Sequence, residues 1–269
     1  MNMTIAFIGA GNMAEALIRG VLSAKTATPE QITATDVRAD RLEQLHRAYG
    51  IHTSTDNAKA AAKADIIVLA VKPQQMTAVL KGSGFTVQGS QLVISIAAGV
   101  PTGRIERELG GEPRVVRTMP NTPALVGAGA AVLCKGRFAT EDDLVTAETI
   151  LKAVGIVVRV EEKDLDAVTA LSGSGPAYIF YMAEAMIAAG VEAGLPADVA
   201  RRLAVQTVFG AGALLAASGE PTEQLRNKVT SPGGTTEAAL KVMRECGFAK
   251  IVAEAMQAAA RRSRELSGG

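Results

Sequence analysis

Gly9, Gly11 and Ala14 stand in the pattern G-x-G-x-x-A, directly behind the apolar run Ile5, Ala6, Phe7, Ile8 and directly ahead of Ala16, Leu17 and Val21. A strand-forming run, a glycine turn and apolar residues at helical spacing predict strand, tight turn and helix, in that order. Gly9 permits the turn, Gly11 lets the backbone approach a pyrophosphate, and Ala14 is small enough for the helix to pack closely on the strand. The amides of that first helical turn, with Asn12 and Met13 between the small residues, offer N–H groups and a partial positive charge to phosphates. The context turns a weak motif into a strong expectation of a dinucleotide site.

The rest of the first half repeats the same alternation. β-branched runs recur at Thr4 to Ile8, Ile32 to Thr35, Ile66 to Val71, Leu92 to Ile96, Val115 to Thr118, Ala130 to Leu133 and Ile156 to Val160, with helix-like segments between them. That spacing predicts a mostly parallel sheet with helical crossovers. Thr140 with Asp143 three residues later reads as a capping box ahead of Leu144. Past Val160 the β-branched runs stop, and Ala- and Leu-rich segments follow, with Pro196 and Pro221 placed like first-turn residues. The expected division is 1–162, α/β, and 163–269, helical, with the charged turn Glu161 to Asp164 at the boundary. Ser267, Gly268 and Gly269 are expected to fray.

Composition removes several classes of function. With 28 Lys+Arg against 27 Asp+Glu the formal net charge is +1, without basic or acidic blocks, so neither nucleic acid nor an anionic membrane surface is an expected partner. Aromatic residues are 3% with no Trp, which leaves few stacking platforms for sugars or single strands. The uncharged stretches Ala167 to Ala183 and Leu203 to Gly219, each 17 residues, fall short of a membrane span and read as buried helices of a soluble protein. No signal peptide is visible, and Cys134 and Cys246 lie far apart without metal-site spacing, which fits a reducing cytoplasm.

The strand ends supply the candidate site residues. Asp36, about 20 residues past the glycines, suits an unphosphorylated ribose. Arg38 and Arg41 could instead pair with a ribose 2′-phosphate or simply be a solvated helix start, so the choice between NAD(H) and NADP(H) stays open. Ala70, Val71, Lys72 and Pro73 put a cation at the carboxyl edge of the sheet, where ligands of open α/β folds lie. Ser95 to Gly99, including Ala97, offers small residues on which a nicotinamide could lie flat. Asn121 and Thr122 either bond a carboxamide or stabilise an Asn/Pro turn. In the second half, Ser172 to Ala177 and Thr230 to Thr236 read as hydroxyl- and glycine-rich breaks in a helical domain. The second of them, around Gly234 to Thr236, either cradles a carboxylate at a helix N-terminus or is an ordinary turn capped by Thr235 or Thr236.

Absent residues narrow the chemistry. His46 and His52, the only histidines, lie on the cofactor side, and no lysine occurs between Lys163 and Lys228. Hydroxyacid dehydrogenases of the histidine or lysine type would lack their base. Hydride transfer to a C=N bond needs only positioning and at most a weak proton donor, so imine reduction fits better.

With GAGNMA, VKP, SIAAG, MPNTP, SGSGPAY and TSPGGTT present in that order, nearly the whole chain resembles the bacterial pyrroline-5-carboxylate reductases. The resemblance implies an N-terminal Rossmann domain, a helical domain interleaved with its twin in a dimer, and dimers that often form a decamer. It implies reduction of 1-pyrroline-5-carboxylate to L-proline with NADPH or NADH, the last step of proline biosynthesis, in the cytoplasm. Carried over, Gly9 to Ala14 would hold the pyrophosphate, Asn57 the adenosine ribose phosphate, and Lys72 would line the nicotinamide and substrate end as a candidate catalytic residue. Thr236 would hydrogen-bond the imine nitrogen. Ser231 with the backbone at Gly233, Gly234 and Thr235 would hold the substrate carboxylate, and Ser172 and Ser174 would shape the pocket. Asp36 stands where many NADPH-preferring members have Ser or a basic residue, which favours use of both cofactors.

Overall fold

The computed structural model describes residues 3–266; Ser267, Gly268 and Gly269, expected to fray, lie outside them. In chain order the strands are β1 (Ile5–Ile8), β2 (Ile32–Thr35), β3 (His52–Ser54), β4 (Ile66–Leu69), β5 (Leu92–Ser95), β6 (Arg114–Met119), β7 (Gly129–Lys135) and β8 (Gly155–Arg159). They make one sheet in the order β3-β2-β1-β4-β5-β6-β7-β8. Every neighbouring pair is parallel except β6 with β7. The helices of this half are α1 (Asn12–Ser23), α2 (Ala39–Tyr49), α3 (Asn57–Ala61), α4 (Met76–Leu80), α5 (Thr102–Leu109) and α6 (Glu141–Lys152).

β1, β4 and β5 are buried along their whole length. That is why their sequences are continuous apolar runs: a central parallel strand covered on both faces has no solvent side on which to place a polar residue. On one face Leu17, Ile18 and Val21 of α1, Leu42 and Leu45 of α2, and Leu144 and Ile150 of α6 pack on Ile5, Phe7 and Ile32. On the other, Ala60 of α3, Met76 and Leu80 of α4, and Ile105 of α5 cover Ala6, Ile8 and Ile67. Each fully buried aliphatic side chain contributes about 2 kcal/mol. The capping box of α6 forms as expected, with Thr140 Oγ1 accepting from the Asp143 amide and the Asp143 carboxylate accepting from the Thr140 amide at 2.8 Å.

Seven strands are expected from the sequence and eight form among the described residues. The additional one, β3, is a three-residue edge strand, His-Thr-Ser, whose half-exposed polar face carries no apolar alternation to announce it.

From Glu162 onward the chain is helical: α7 (Leu165–Val168), α8 (Gly175–Glu192), α9 (Ala197–Ser218), α10 (Thr222–Lys228), α11 (Thr235–Glu245) and α12 (Phe248–Leu266). The Ser172 to Ala177 run does not interrupt the helix as its glycines suggest. It enters through one π-helical turn, Thr169–Gly173, and continues into α8. Pro196 and Pro221 sit one position earlier than expected, as the caps preceding α9 and α10, with extended ψ of 140° and 138°.

By contact the chain divides into two compact units. One runs through Ser174 and takes in the residues from Ala259 on; the other is Gly175–Ala258. In the second unit α8 packs along α9. The apolar stretches expected to be buried are largely exposed: no residue of α8 is buried, and only Ala200 and Ala204 of α9 are. Tyr181 is 75% and Phe209 68% exposed. By length and composition alone α9 could cross a membrane, although Asp198, Arg201 and Arg202 charge its first turns.

Candidate active site

β1 delivers Gly9 at φ +100°, with its amide donating to Thr35 O at 3.0 Å. A Cβ there would stand 2.7 Å from Ala70 O, so the strand-to-helix turn admits only glycine. Over Gly11 nothing lies within 4 Å of an added Cβ, and α1 starts at the next residue with no side chain capping its amides. Open space over a glycine, facing uncapped helix N–H groups, fits a pyrophosphate. Glu15, in the same first turn, would repel one. Burial raises its pKa, but hydrogen bonds from Arg41 and from Tyr49 Oη at 2.8 Å more than offset this and hold the carboxyl below the ordinary range, with its charge paired.

Arg41 is therefore neither a solvated helix start nor free for a phosphate. It is 7% exposed, and its guanidinium donates to Ala10 O at 2.8 Å, to Gln44 at 2.8 Å and to Glu15. Its place three residues into α2 turns it inward under the glycine turn, a contact between residues 31 positions apart that spacing cannot reveal. Arg38 stays exposed. Asp36, just past β2, accepts from the Ala10 amide through Oδ2 and from the Arg38 amide through Oδ1, each at 3.1 Å.

Asn57 opens α3 and accepts from the buried Thr35 hydroxyl at 2.6 Å. Ala70 continues β4, its amide donating to Ile8 O at 2.8 Å. Val71 and the exposed Lys72 follow, and Pro73 opens a one-turn 3-10 helix, Pro73–Gln75. Past β5, Ala97 is buried and the Ile96 amide donates to Leu69 O at 3.1 Å. The Asn121 side chain is engaged at both ends, donating to Ser172 O at 3.0 Å and accepting from the Ala130 amide at 2.8 Å. Gly9, Asp36, Lys72, Ala97 and Asn121 each follow the carboxyl end of a parallel strand, and so share one edge of the sheet. A groove of about 430 Å³ lined by Thr33, His52, Lys59 and Lys63 lies at the amino ends of β1 to β3 and contains none of them.

Ser172 Oγ donates back to Val168 O at 3.1 Å, and the Ser174 amide closes the π turn on Thr169 O at 2.8 Å. In the second unit the turn before α11 is capped by Gly234, not by Thr235 or Thr236, which are the first two helical residues. Gly233 has φ +71°. Its amide donates to the Glu237 carboxylate at 2.7 Å, and the Gly234 amide to Ser231 O at 2.9 Å. Thr235 and Thr236 supply the first two amides of α11. Cys134 and Cys246 are unpaired. Burial pushes the Cys134 thiol up to about 12, far from nucleophilic at neutral pH.

A glycine turn of this geometry at the switch edge of a mostly parallel sheet defines a dinucleotide-binding fold of the Rossmann class, here followed by a helical half. Residues 162–266 match the model for pyrroline-5-carboxylate reductase dimerisation, and residues 4–99 that for NADP oxidoreductase, coenzyme F420-dependent. The chain is 42% identical to a pyrroline-5-carboxylate reductase of Synechocystis, covering 99% of both chains. It is similar to the solved structure of one from Coxiella burnetii, with 40% identity, 99% of each chain and a TM-score of 0.90. It also matches one from Plasmodium falciparum solved with NADP bound, with 32% identity, 99% of this chain and 98% of that one, and a TM-score of 0.87. The chain belongs to the pyrroline-5-carboxylate reductase family: it is an oxidoreductase acting on a C=N bond, and its helical half is where copies of it associate.

Proposed function

We propose that the sheet edge holds NADP(H), with NAD(H) also accepted, and that the Thr230 to Thr236 turn holds 1-pyrroline-5-carboxylate for reduction to L-proline. The observation that carries the cofactor half is the glycine turn, where Gly9 tolerates no side chain and the space over Gly11 is open. The bound dinucleotide supplies the hydride. The amides of Asn12, Met13 and Ala14 bind its pyrophosphate, Asp36 and Arg38 its adenosine ribose, and Asn57 that ribose's phosphate. Ala70, Val71, Lys72 and Pro73 line its nicotinamide half, Ala97 gives it a flat floor, and Asn121 acts through the turn it ties to Ser172 O.

On the substrate side, Ser231 and the backbone from Gly233 to Thr235 bind the carboxylate, the Gly233 amide exchanging Glu237 and the Gly234 amide Ser231 O for it. Glu237, already seated on the Gly233 amide, marks this turn as receptive to a carboxylate. Thr236 Oγ1 hydrogen-bonds the imine nitrogen and keeps a proton there, so that the carbon receiving the hydride is electron-poor and the product is the secondary amine. Ser172 and Ser174 are further substrate-binding residues. Orientation supplies most of the rate, and Thr236 is the catalytic hydroxyl.

The assembly is an interleaved dimer with further association to a decamer, in line with the apolar surface exposed on α8 and α9. The two unpaired cysteines accord with a cytoplasmic location. Loss of nicotinamide absorbance on adding 1-pyrroline-5-carboxylate to purified protein, with NADPH and NADH in parallel, tests the reading. Turnover is expected with both, and cofactor binding without turnover on either would overturn it.

A further inference from the structure

The charged stretch Glu161 to Asp164 reads in the sequence as no more than a boundary turn. In the fold its second residue reaches back to Thr102, three residues past the Ser95–Gly99 turn. Glu162 Oε1 accepts from the Thr102 amide at 2.7 Å and Oε2 from the Thr102 hydroxyl at 2.7 Å. A carboxylate from 60 residues away thus caps the first turn of α5, whose own cap position, Pro101, has no acceptor side chain. Thr102 is 4% exposed, two residues beyond Val100, which closes the turn into the core.

Glu162 is itself held in place. Arg117, 5% exposed and paired in the sheet with Ser95, donates to Glu162 Oε1 at 3.1 Å. A guanidinium so buried cannot lose its carboxylate without a large cost, so the pair is a fixed point of the fold. One helical turn on, Asp166 accepts from the Ser263 hydroxyl at 2.6 Å. The end of α12 that Ser263 anchors lies on Gly99, where a Cβ would stand 3.3 Å from Leu266 Cβ, and Gly99 has φ +70°. Glu162 thus ties the start of α5, which follows the turn, to Arg117, and Asp166 ties the end of α12 that lies on Gly99.

We propose that Glu162 is a positioning residue for the reaction: it holds the Ser95–Gly99 turn in the shape that seats the nicotinamide. It touches no reacting atom and acts through Thr102. The proposal rests on the reading above that this turn is the nicotinamide floor. Its signature is a split. The pyrophosphate and adenosine end depends on β1 and β2, which Glu162 does not touch, so only the nicotinamide end should respond.

The test compares the intact protein with Glu162→Gln, Thr102→Val and Ala98→Phe, measuring binding of NADPH and of 2′,5′-ADP, kcat, and the isotope effect with NADPH deuterated at the transferred position. Glu162→Gln is expected to leave 2′,5′-ADP affinity within about twofold and to lower kcat by about tenfold or more, with an altered isotope effect, as for a misplaced reactant. Thr102→Val, which keeps the amide bond, should lose less, and the double variant should lose no more than Glu162→Gln alone. Should Glu162→Gln not fold, Thr102→Val is expected to show the same split. Equal weakening of NADPH and 2′,5′-ADP, or unchanged kinetics, would overturn the proposal. Ala98→Phe separates the two ideas: if it leaves turnover intact, the floor reading fails and the proposal with it. If it abolishes turnover while Glu162→Gln is silent, the positioning role alone fails.

Discussion

Asp36 Oδ2 lies 3.1 Å from the amide nitrogen of Ala10, so the carboxylate at the end of β2 braces the glycine turn from which α1 starts. Each of its oxygens accepts one backbone hydrogen bond, with Arg38 Nε a further 3.7 Å from Oδ1, and keeps a lone pair for a ribose hydroxyl. Replacing Asp36 by Ser is expected to lower kcat/KM for NADH by about tenfold to a hundredfold, the value of a hydrogen bond to a charged group, and to lower it far less for NADPH. Arg38→Ala should do the opposite. The ratio of the two rates is the quantity to measure, since loosening the Ala10 contact affects both cofactors.

Arg41→Ala should leave that ratio where it is, because the guanidinium is spent on Ala10, Gln44 and Glu15. Its effect is on stability: removing one member of a buried pair costs about 3 kcal/mol, seen as a lowered thermal midpoint. A changed cofactor ratio without loss of stability would refute this assignment.

Glu15 carries a pH dependence of definite sign. Its folded pKa lies below the ordinary carboxylate value, so the carboxylate's contribution is complete above that value and disappears as pH falls through the folded one. Urea midpoints should therefore fall on acidification below about pH 4.3, the free glutamate value. In Glu15→Gln that part of the slope should be missing; an unaltered slope would place the acid sensitivity elsewhere.

Thr236→Ala is expected to lower kcat/KM by about one to two orders of magnitude, the usual scale for a lost proton donor, with cofactor binding unaffected. Kinetics equal to the unaltered protein would remove its hydroxyl from the mechanism.

What could be read from the sequence was what depends on near neighbours. The glycine turn, the continuous apolar strands and the Thr140–Asp143 box are each decided within a few residues, and the fold repeats them. β3 leaves no mark in the sequence because an edge strand of His, Thr and Ser has no buried face to impose a period. The π turn at Thr169–Gly173 went unseen because glycine and serine, which usually end helices, here let one widen. Arg41 on Ala10, and Glu162 on Thr102, join residues 31 and 60 positions apart. Such pairs are products of the folded sheet, and spacing along the chain holds no trace of them.

The bare flanks of α8 and α9 bear on how much of this protein exists in folded form at all. With Phe209 and Tyr181 in water, a solitary chain forgoes much of the burial that would repay the ordering of its helices. Its stability then follows mass action: it rises with the protein's own concentration, and diluted or newly made single copies are the species most open to proteolysis.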